Sequence, residues 1–294
     1  MQAVDQHITY TLNHYSGQLE NHFQCDVISY MGPIHPMALT RYREVIEAVK
    51  KAPKILADHK LEKLVIVLTT PGGIVETVEK MVEMTRHHYS DVSFVVPDMA
   101  MSAGTVWCMS GDRIWMDYAS SLGPIDPQVQ SQTANGAFVP ALGYLDKVNE
   151  FIQKANSNTL SAAEVVMLKG LDLAELHRFE QARDLSISLL KQWLIAYKFK
   201  NWTNHRTTSP GDAVSDTEKE ARAEQIARQL SNNNHWHSHG RMISMKRLQN
   251  ELKLEIDDYT DIAVLRDNVK IYNTLLSEYL ERQSSPMIIH SPRG

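Results

Sequence analysis

Only two cysteines, Cys25 and Cys108, occur among 294 residues, so no disulfide scaffold holds this chain together and a reducing compartment is expected. Long apolar runs are missing too. The longest, such as LVIVL at 64–68 and FVV at 94–96, stop far short of the roughly 20 residues that cross a bilayer. The opening MQAVDQHITYTLNHYSG has neither the basic nor the apolar region of a signal peptide. Positive charge is not in excess either: 30 Lys and Arg face 35 Asp and Glu, leaving −5, which argues against a general nucleic-acid binder. The expectation is a cytoplasmic protein with no membrane and no nucleic-acid partner. Its 43% hydrophobic content is ample for a buried core.

Along the chain the first clear order is DVISYMGPI at 26–34, a short strand ending in a Gly-Pro turn. Leu39, Tyr42, Val45, Ile46 and Val49 then recur at helical spacing between Pro36 and His59. The run at 64–68 reads as a buried parallel strand, broken by Thr69-Thr70-Pro71-Gly72-Gly73 before a helix that ends near His87-His88. The grammar repeats: a strand at 92–96, a Pro97-Asp98 turn, a helix of small residues from Ala100 to Met109, and a third strand at 112–116. Strand and helix alternating over short connections predict a parallel sheet with right-handed crossovers. From Tyr144 to about Lys200 the pattern is helical. Residues 201–216 form a loop, Thr217–Leu230 a charged helix, and the region from Ile243 is again mostly helical, with a frayed tail from Ser284.

Two loops carry chemistry. Ligands of parallel α/β sheets bind at the carboxyl ends of the strands, where helix N-termini point. Pro71-Gly72-Gly73 opens a helix there. Its glycines permit positive φ and leave amide hydrogens uncovered, donors that can hold the oxyanion formed when a carbonyl is attacked. Met99-Ala100-Met101-Ser102-Ala103-Gly104-Thr105 puts Ser102 at a strand-to-helix turn among residues too small to shield it, a recurring way to expose a nucleophile. The N–H of Ala103 is the natural second donor. Alone, a Gly-Gly turn is usually only a turn and a serine there usually only an N-cap. The pairing matters, because one βα unit of about 30 residues separates the loops and brings both to one cleft.

TTPGG before a helix, AMSAGT some 30 residues on, and then GDRIWMDYASSLGPIDPQ together resemble the Clp protease proteolytic subunit and signal peptide peptidase A superfamily. Within it the chain looks most like the serine dehydrogenase proteinases. The likeness covers about 25–130 and, more loosely, 236–260, where HGRMIS precedes a helix. It implies an α/β Clp-protease/crotonase-like fold of stacked βα units with a mainly helical C-terminal extension. It further implies peptide-bond hydrolysis without a cofactor, and assembly into a homo-oligomer. Residues 1–200 are then the catalytic core with a helical arm. Residues 201–294 are a loop and helical extension that completes the core and offers an oligomer contact.

The base that activates Ser102 has more than one candidate. In the Clp subunit a histidine follows the serine by about 25 residues, where this chain has Asp126 and no histidine. The resemblance to serine dehydrogenase proteinases implies Ser102, Asp126 and His239, with His239 as general base and Asp126 holding its tautomer. The signal peptide peptidase pattern implies a lysine, and Lys147 falls at its distance, with Lys154 a poorer substitute. Such a lysine must be desolvated to act near neutral pH, and Tyr144, Leu145, Val148 and Phe151 flank it. An inactive oligomeric scaffold, or a crotonase-type enzyme using the same amide pair on an acyl-CoA, stays open beside the peptidase reading.

His235, His237 and His239 would point one way in an extended segment, as zinc-binding imidazoles could. No carboxylate interleaves them and no H-E-x-x-H helix exists, so no metal is assigned. The methionines near the cleft read as core filling.

Overall fold

The computed structural model describes residues 2–53, 58–125, 128–130, 138–205 and 210–293. Its main sheet is built from β1 (Cys25–Met31), β2 (Lys60–Thr69) and β3 (Asp91–Val95). After the short β4 (Met99–Ala100), β5 (Arg113–Met116) joins the same sheet. Together with β10 (Asp257–Asp258) and β11 (Ile288–His290) it has the order β10-β5-β3-β2-β1-β11. All neighbours are parallel except β11, which lies antiparallel on the β1 edge. A second sheet of three strands, β4-β6-β9, adds β6 (Ser121–Leu122) and β9 (Ile243–Ser244). The remaining pair, β7 (Gln128–Gln130) and β8 (Phe138–Pro140), is antiparallel. This is a mixed α/β fold of parallel βα units with a helical C-terminal part.

Strand alternation explains the layers. Val27, Val65, Val67 and Val95 point to one face and meet α1 (Gln2–Phe23) and the long α11 (Ala263–Arg282). Ile28, Tyr30, Leu64, Ile66 and Phe94 point to the other. There they pack on α2 (Ala38–Lys51), α3 (Val75–His88) and α4 (Ala103–Cys108). An arm of α5 (Ala141–Asn156), α6 (Ala162–Lys169) and α7 (Leu173–Trp193) follows, and α8 (Asp216–Leu230) packs along α7. Trp107 of α4 is the anchor of this layer. The rings of Tyr30, Tyr42 and Phe94 meet it edge-on at 5.3, 5.7 and 5.9 Å, a geometry that aromatic quadrupoles favour.

Four expectations need correction. Helix α1 lies wholly before the first expected order, because its buried stripe Leu12, Ser16, Leu19, Glu20, Phe23 is interrupted by two polar residues. The tail is not frayed: β11 pairs Ile288, Ile289 and His290 with Met31, Tyr30 and Ser29. The helix of small residues starts at Ala103, since Met99 and Ala100 are used as a strand. The histidine tract is not extended either. His235 sits in the short helix α9 (Asn233–Trp236) and His237 has φ 62°, so the three imidazoles are not aligned.

The C-terminal strand is held by a half-buried imidazole. His290 Nδ1 lies 2.7 Å from the Tyr272 hydroxyl and Nε2 3.2 Å from Asn13 Oδ1. A neutral ring accepts from the tyrosine and donates to the asparagine. Desolvation, aided by the Arg41 charge, pushes the His290 pKa from 6.5 down to about 4. The unfolded chain therefore takes up this proton at a higher pH than the folded one. The contribution of His290 is complete above about pH 6.5 and is lost as pH falls towards 4, by roughly 3 kcal/mol in all. Urea unfolding at pH 7 and pH 4.5 should show a larger acid loss for the wild type than for His290→Gln. Equal losses would show that the ring is not held neutral.

Candidate active site

Thr70, at the end of β2, brings the two chemistry-bearing loops together. Its N–H donates to the Met99 carbonyl at 2.9 Å, and its carbonyl accepts the Met101 N–H at 3.0 Å. This parallel bridge to Ala100 continues the ladder one residue past β2. On the opposite side the Ile34 N–H donates to the Gly72 carbonyl at 2.8 Å, and the Ile74 N–H donates to the Ile34 carbonyl at 3.0 Å. In a parallel ladder, successive residues turn their N–H and C=O to alternate sides. Gly73 bridges Ile34 through its neighbours' groups, so its own N–H points away from Ile34, to the side where residues 99–102 run.

The glycines are required by contact. A methyl group on Gly72, at φ +103°, would lie 2.8 Å from the Met101 carbonyl oxygen and 2.9 Å from Ser102 Cβ. On Gly73 it would lie 2.1 Å from the Ile34 carbonyl oxygen. Only a hydrogen fits at either place. Ser102 is thus in direct contact with the glycine turn.

Ser102 itself has φ 51° and ψ −114°, a conformation that costs a non-glycine residue about 1–3 kcal/mol. It precedes α4 without capping it. The Ala103 N–H is at the first helical position, where no intrahelical acceptor exists. The turn is fixed from behind by Thr105, whose hydroxyl lies 2.8 Å from the Ala100 carbonyl and 2.9 Å from that of Gly123. The same oxygen accepts the Gly123 N–H at 2.9 Å. Ser102 is 3% exposed.

The small sheet sets what else comes to this end. Strands β4 and β6 are parallel, while β9 is antiparallel to β6, with Ser121 opposite Ser244 and Leu122 opposite Ile243. The residues after Ala100, those after Leu122 and those before Ile243 therefore share one end. His239, four residues before β9 and partly buried, belongs to that group. Its segment is pinned by the buried Trp236, whose indole N–H donates to the Gln229 carbonyl at 2.7 Å. Ile125 reaches the same helix end, donating to the Leu230 carbonyl at 3.1 Å. Asp126 lies outside the described residues. Lys147 is not in a desolvated pocket: its side chain is 58% exposed on α5, and its ammonium is 2.8 Å from Glu150 Oε2. Among the described residues no cluster of three or more His, Cys, Asp or Glu could hold a metal ion, and no helix is long and apolar enough to cross a membrane.

A parallel α/β fold with a serine in a strained strand-to-helix turn, touching a glycine turn that presents an amide, has the architecture of hydrolases with a nucleophilic serine. Residues 22–209 match the family described as ClpP-like SDH-type serine proteinase. The chain belongs to that family. Two uncharacterized proteins of Methanocaldococcus jannaschii are similar in sequence. MJ0137 is 34% identical over 86 residues, 29% of this chain and 28% of that protein. MJ1495 is 24% identical over 142 residues, 48% and 44% respectively. The chain thus spans less than half the length of either relative. Among solved structures, a mutant of the 1510-N membrane-bound stomatin-specific protease aligns over 83% of this chain and 82% of its own, at 14% identity and TM-score 0.44. ClpP1 from Listeria monocytogenes aligns over 85% and 98%, at 13% identity and TM-score 0.41.

Reading residue types gave no role to Thr105, although it closes the quoted AMSAGT, or to Trp236; their only signal is a hydroxyl and an indole. Thr105→Val keeps the shape but leaves the Gly123 N–H without its acceptor. It is expected to cost about 1–3 kcal/mol in urea unfolding. A variant as stable as the wild type would show that the hydroxyl does not fasten the two segments.

Proposed function

We propose that the protein is a serine peptidase that cleaves peptides or unfolded protein through an acyl-enzyme on Ser102. The observation that carries this reading is the contact of Ser102 with Gly72 while the Gly73 N–H faces the same side. Membership of a serine proteinase family supports it. Ser102 Oγ attacks the scissile carbonyl carbon, the C=O π pair moves to oxygen, and the Gly73 and Ala103 N–H groups donate to that oxyanion. The hydroxyl proton passes to a general base and then to the departing amine. Water, deprotonated by the same base, releases the acid and restores the serine.

His239 is the base in this reading, with Asp126 orienting its ring. The sheet order supports the histidine, since it runs to the end at which Ser102 follows β4. Lys147 lacks the burial a neutral lysine requires, being exposed and ion-paired with Glu150. The reaction needs no cofactor.

The reading includes a cytoplasmic location and a homo-oligomer. Helix α6 buries none of its residues, and Val166, Met167 and nearby Leu173 are exposed. A second copy would cover such an apolar face, and light scattering gives the mass that decides it.

A fluorophosphonate probe tests the chemistry. Wild type should be labelled and Ser102→Ala should not, with intact-mass analysis placing the adduct on Ser102. His239→Ala should slow labelling by at least about 100-fold, and Lys147→Ala should leave the rate within about threefold. Equal labelling of wild type and Ser102→Ala removes Ser102 from its role. A large loss in Lys147→Ala with none in His239→Ala moves the base to the lysine.

A further inference from the structure

We infer that Thr70 is a positioning residue of the oxyanion site. Its hydroxyl holds the Gly72 N–H and so fixes which of two adjacent glycine amides faces Ser102. The inference rests on the peptidase reading above and gives Gly72 and Gly73 different tasks.

Thr70 is fully buried, and its side chain divides between the two loops. Oγ1 accepts the Gly72 N–H at 3.0 Å and lies 3.5 Å from the Gly72 carbonyl oxygen. Cγ2 lies against Gly104 in the first turn of α4, where a methyl group would come within 2.4 Å of it. The hydroxyl therefore serves the glycine turn and the methyl serves the serine helix.

The Gly72 N–H is thus occupied and cannot also donate to an oxyanion. Gly72 is held at both ends, its N–H by Thr70 and its C=O by the Ile34 N–H. The following peptide plane is then determined, with the Gly73 N–H on the Ser102 side. Two consecutive glycines cannot enforce this themselves, because each has wide φ freedom. Rotation of the Gly72–Gly73 peptide would turn a carbonyl oxygen, rather than an amide hydrogen, towards developing negative charge. Donors in an oxyanion site accelerate reaction because they are oriented beforehand.

Two substitutions separate the hydroxyl from the methyl. Thr70→Val keeps the packing on Gly104 and deletes the acceptor, whereas Thr70→Ser keeps the acceptor and deletes the methyl. With a fluorophosphonate probe, Thr70→Val should label roughly 10- to 100-fold more slowly than wild type, a part of what loss of a whole donor costs. Thr70→Ser should stay within about threefold. On p-nitrophenyl acetate the Thr70→Val loss should fall on kcat with KM little changed. The pH midpoint of the rate should not move, because the base is untouched. A packing role alone predicts the reverse, with Thr70→Ser the slower, and that result overturns the inference, as does a wild-type rate in Thr70→Val. Should the wild type take no probe at all, the peptidase reading fails and amide exchange measured by NMR decides the Thr70 role by itself. Slow exchange at Gly72 that becomes fast in Thr70→Val supports the tether, and unchanged exchange refutes it.

Discussion

Two main-chain hydrogen bonds to one residue, Thr70, hold the candidate site together. They join the end of β2 to the start of the serine turn, so the glycine loop and Ser102 are placed by ladder geometry rather than by side-chain preference. Backbone pairing has little tolerance, since a shift of one residue reverses which side each N–H and C=O faces. The same alternation that sends the Gly72 carbonyl to Ile34 sends the Gly73 amide towards residue 102. The direction of one donor follows from a strand register established near Leu64 and Ile66, far back in the sheet core.

The strained serine is sustained by what surrounds it. A residue at φ 51° and ψ −114° persists only where its neighbours over-determine the backbone. Here Gly72 fills one side, Thr105 ties the turn to the 121–125 segment, and Trp107 roots the helix among three aromatic rings. The hydrogen bonds of Thr105 are worth more in this dry setting than at a surface. The helix behind Ser102 is short, yet every one of its residues is buried. Rigidity comes from packing and not from helix length.

The sequence was informative where physical signals are local. Glycine pairs, a proline and small residues mark loops directly, and the spacing of Pro71-Gly72-Gly73 from Ser102 announces a βα unit between them. The parallel sheet was legible from the buried runs at 64–68 and 92–96. What stayed hidden depends on partners remote in sequence. Helix α1 buries Ser16 and Glu20 among its apolar residues, which erases the amphipathic signal. Strand β11 exists because β1 has an edge to cover, and nothing within Ile288–His290 states that. Thr70 reads as an ordinary β-prone residue at a strand end, so its hydroxyl acceptor emerges only with coordinates. His239 was reached through likeness to a family, and residue periodicity alone did not select it.

The architecture separates two kinds of task. The proposed amide donors and nucleophile come from residues 73 to 103, within contiguous βα units folded against one sheet. The proposed base comes from a segment more than a hundred residues later, delivered by a strand of two residues, β9, and pinned by one tryptophan. Donors fixed by a long ladder cannot shift without breaking the core. The segment around β9 is nonetheless rooted in the same core as the sheet, since Trp236, Ile243 and Leu248 are buried with Ile66 and Phe94, so packing as well as hydrogen bonds would place the proposed base.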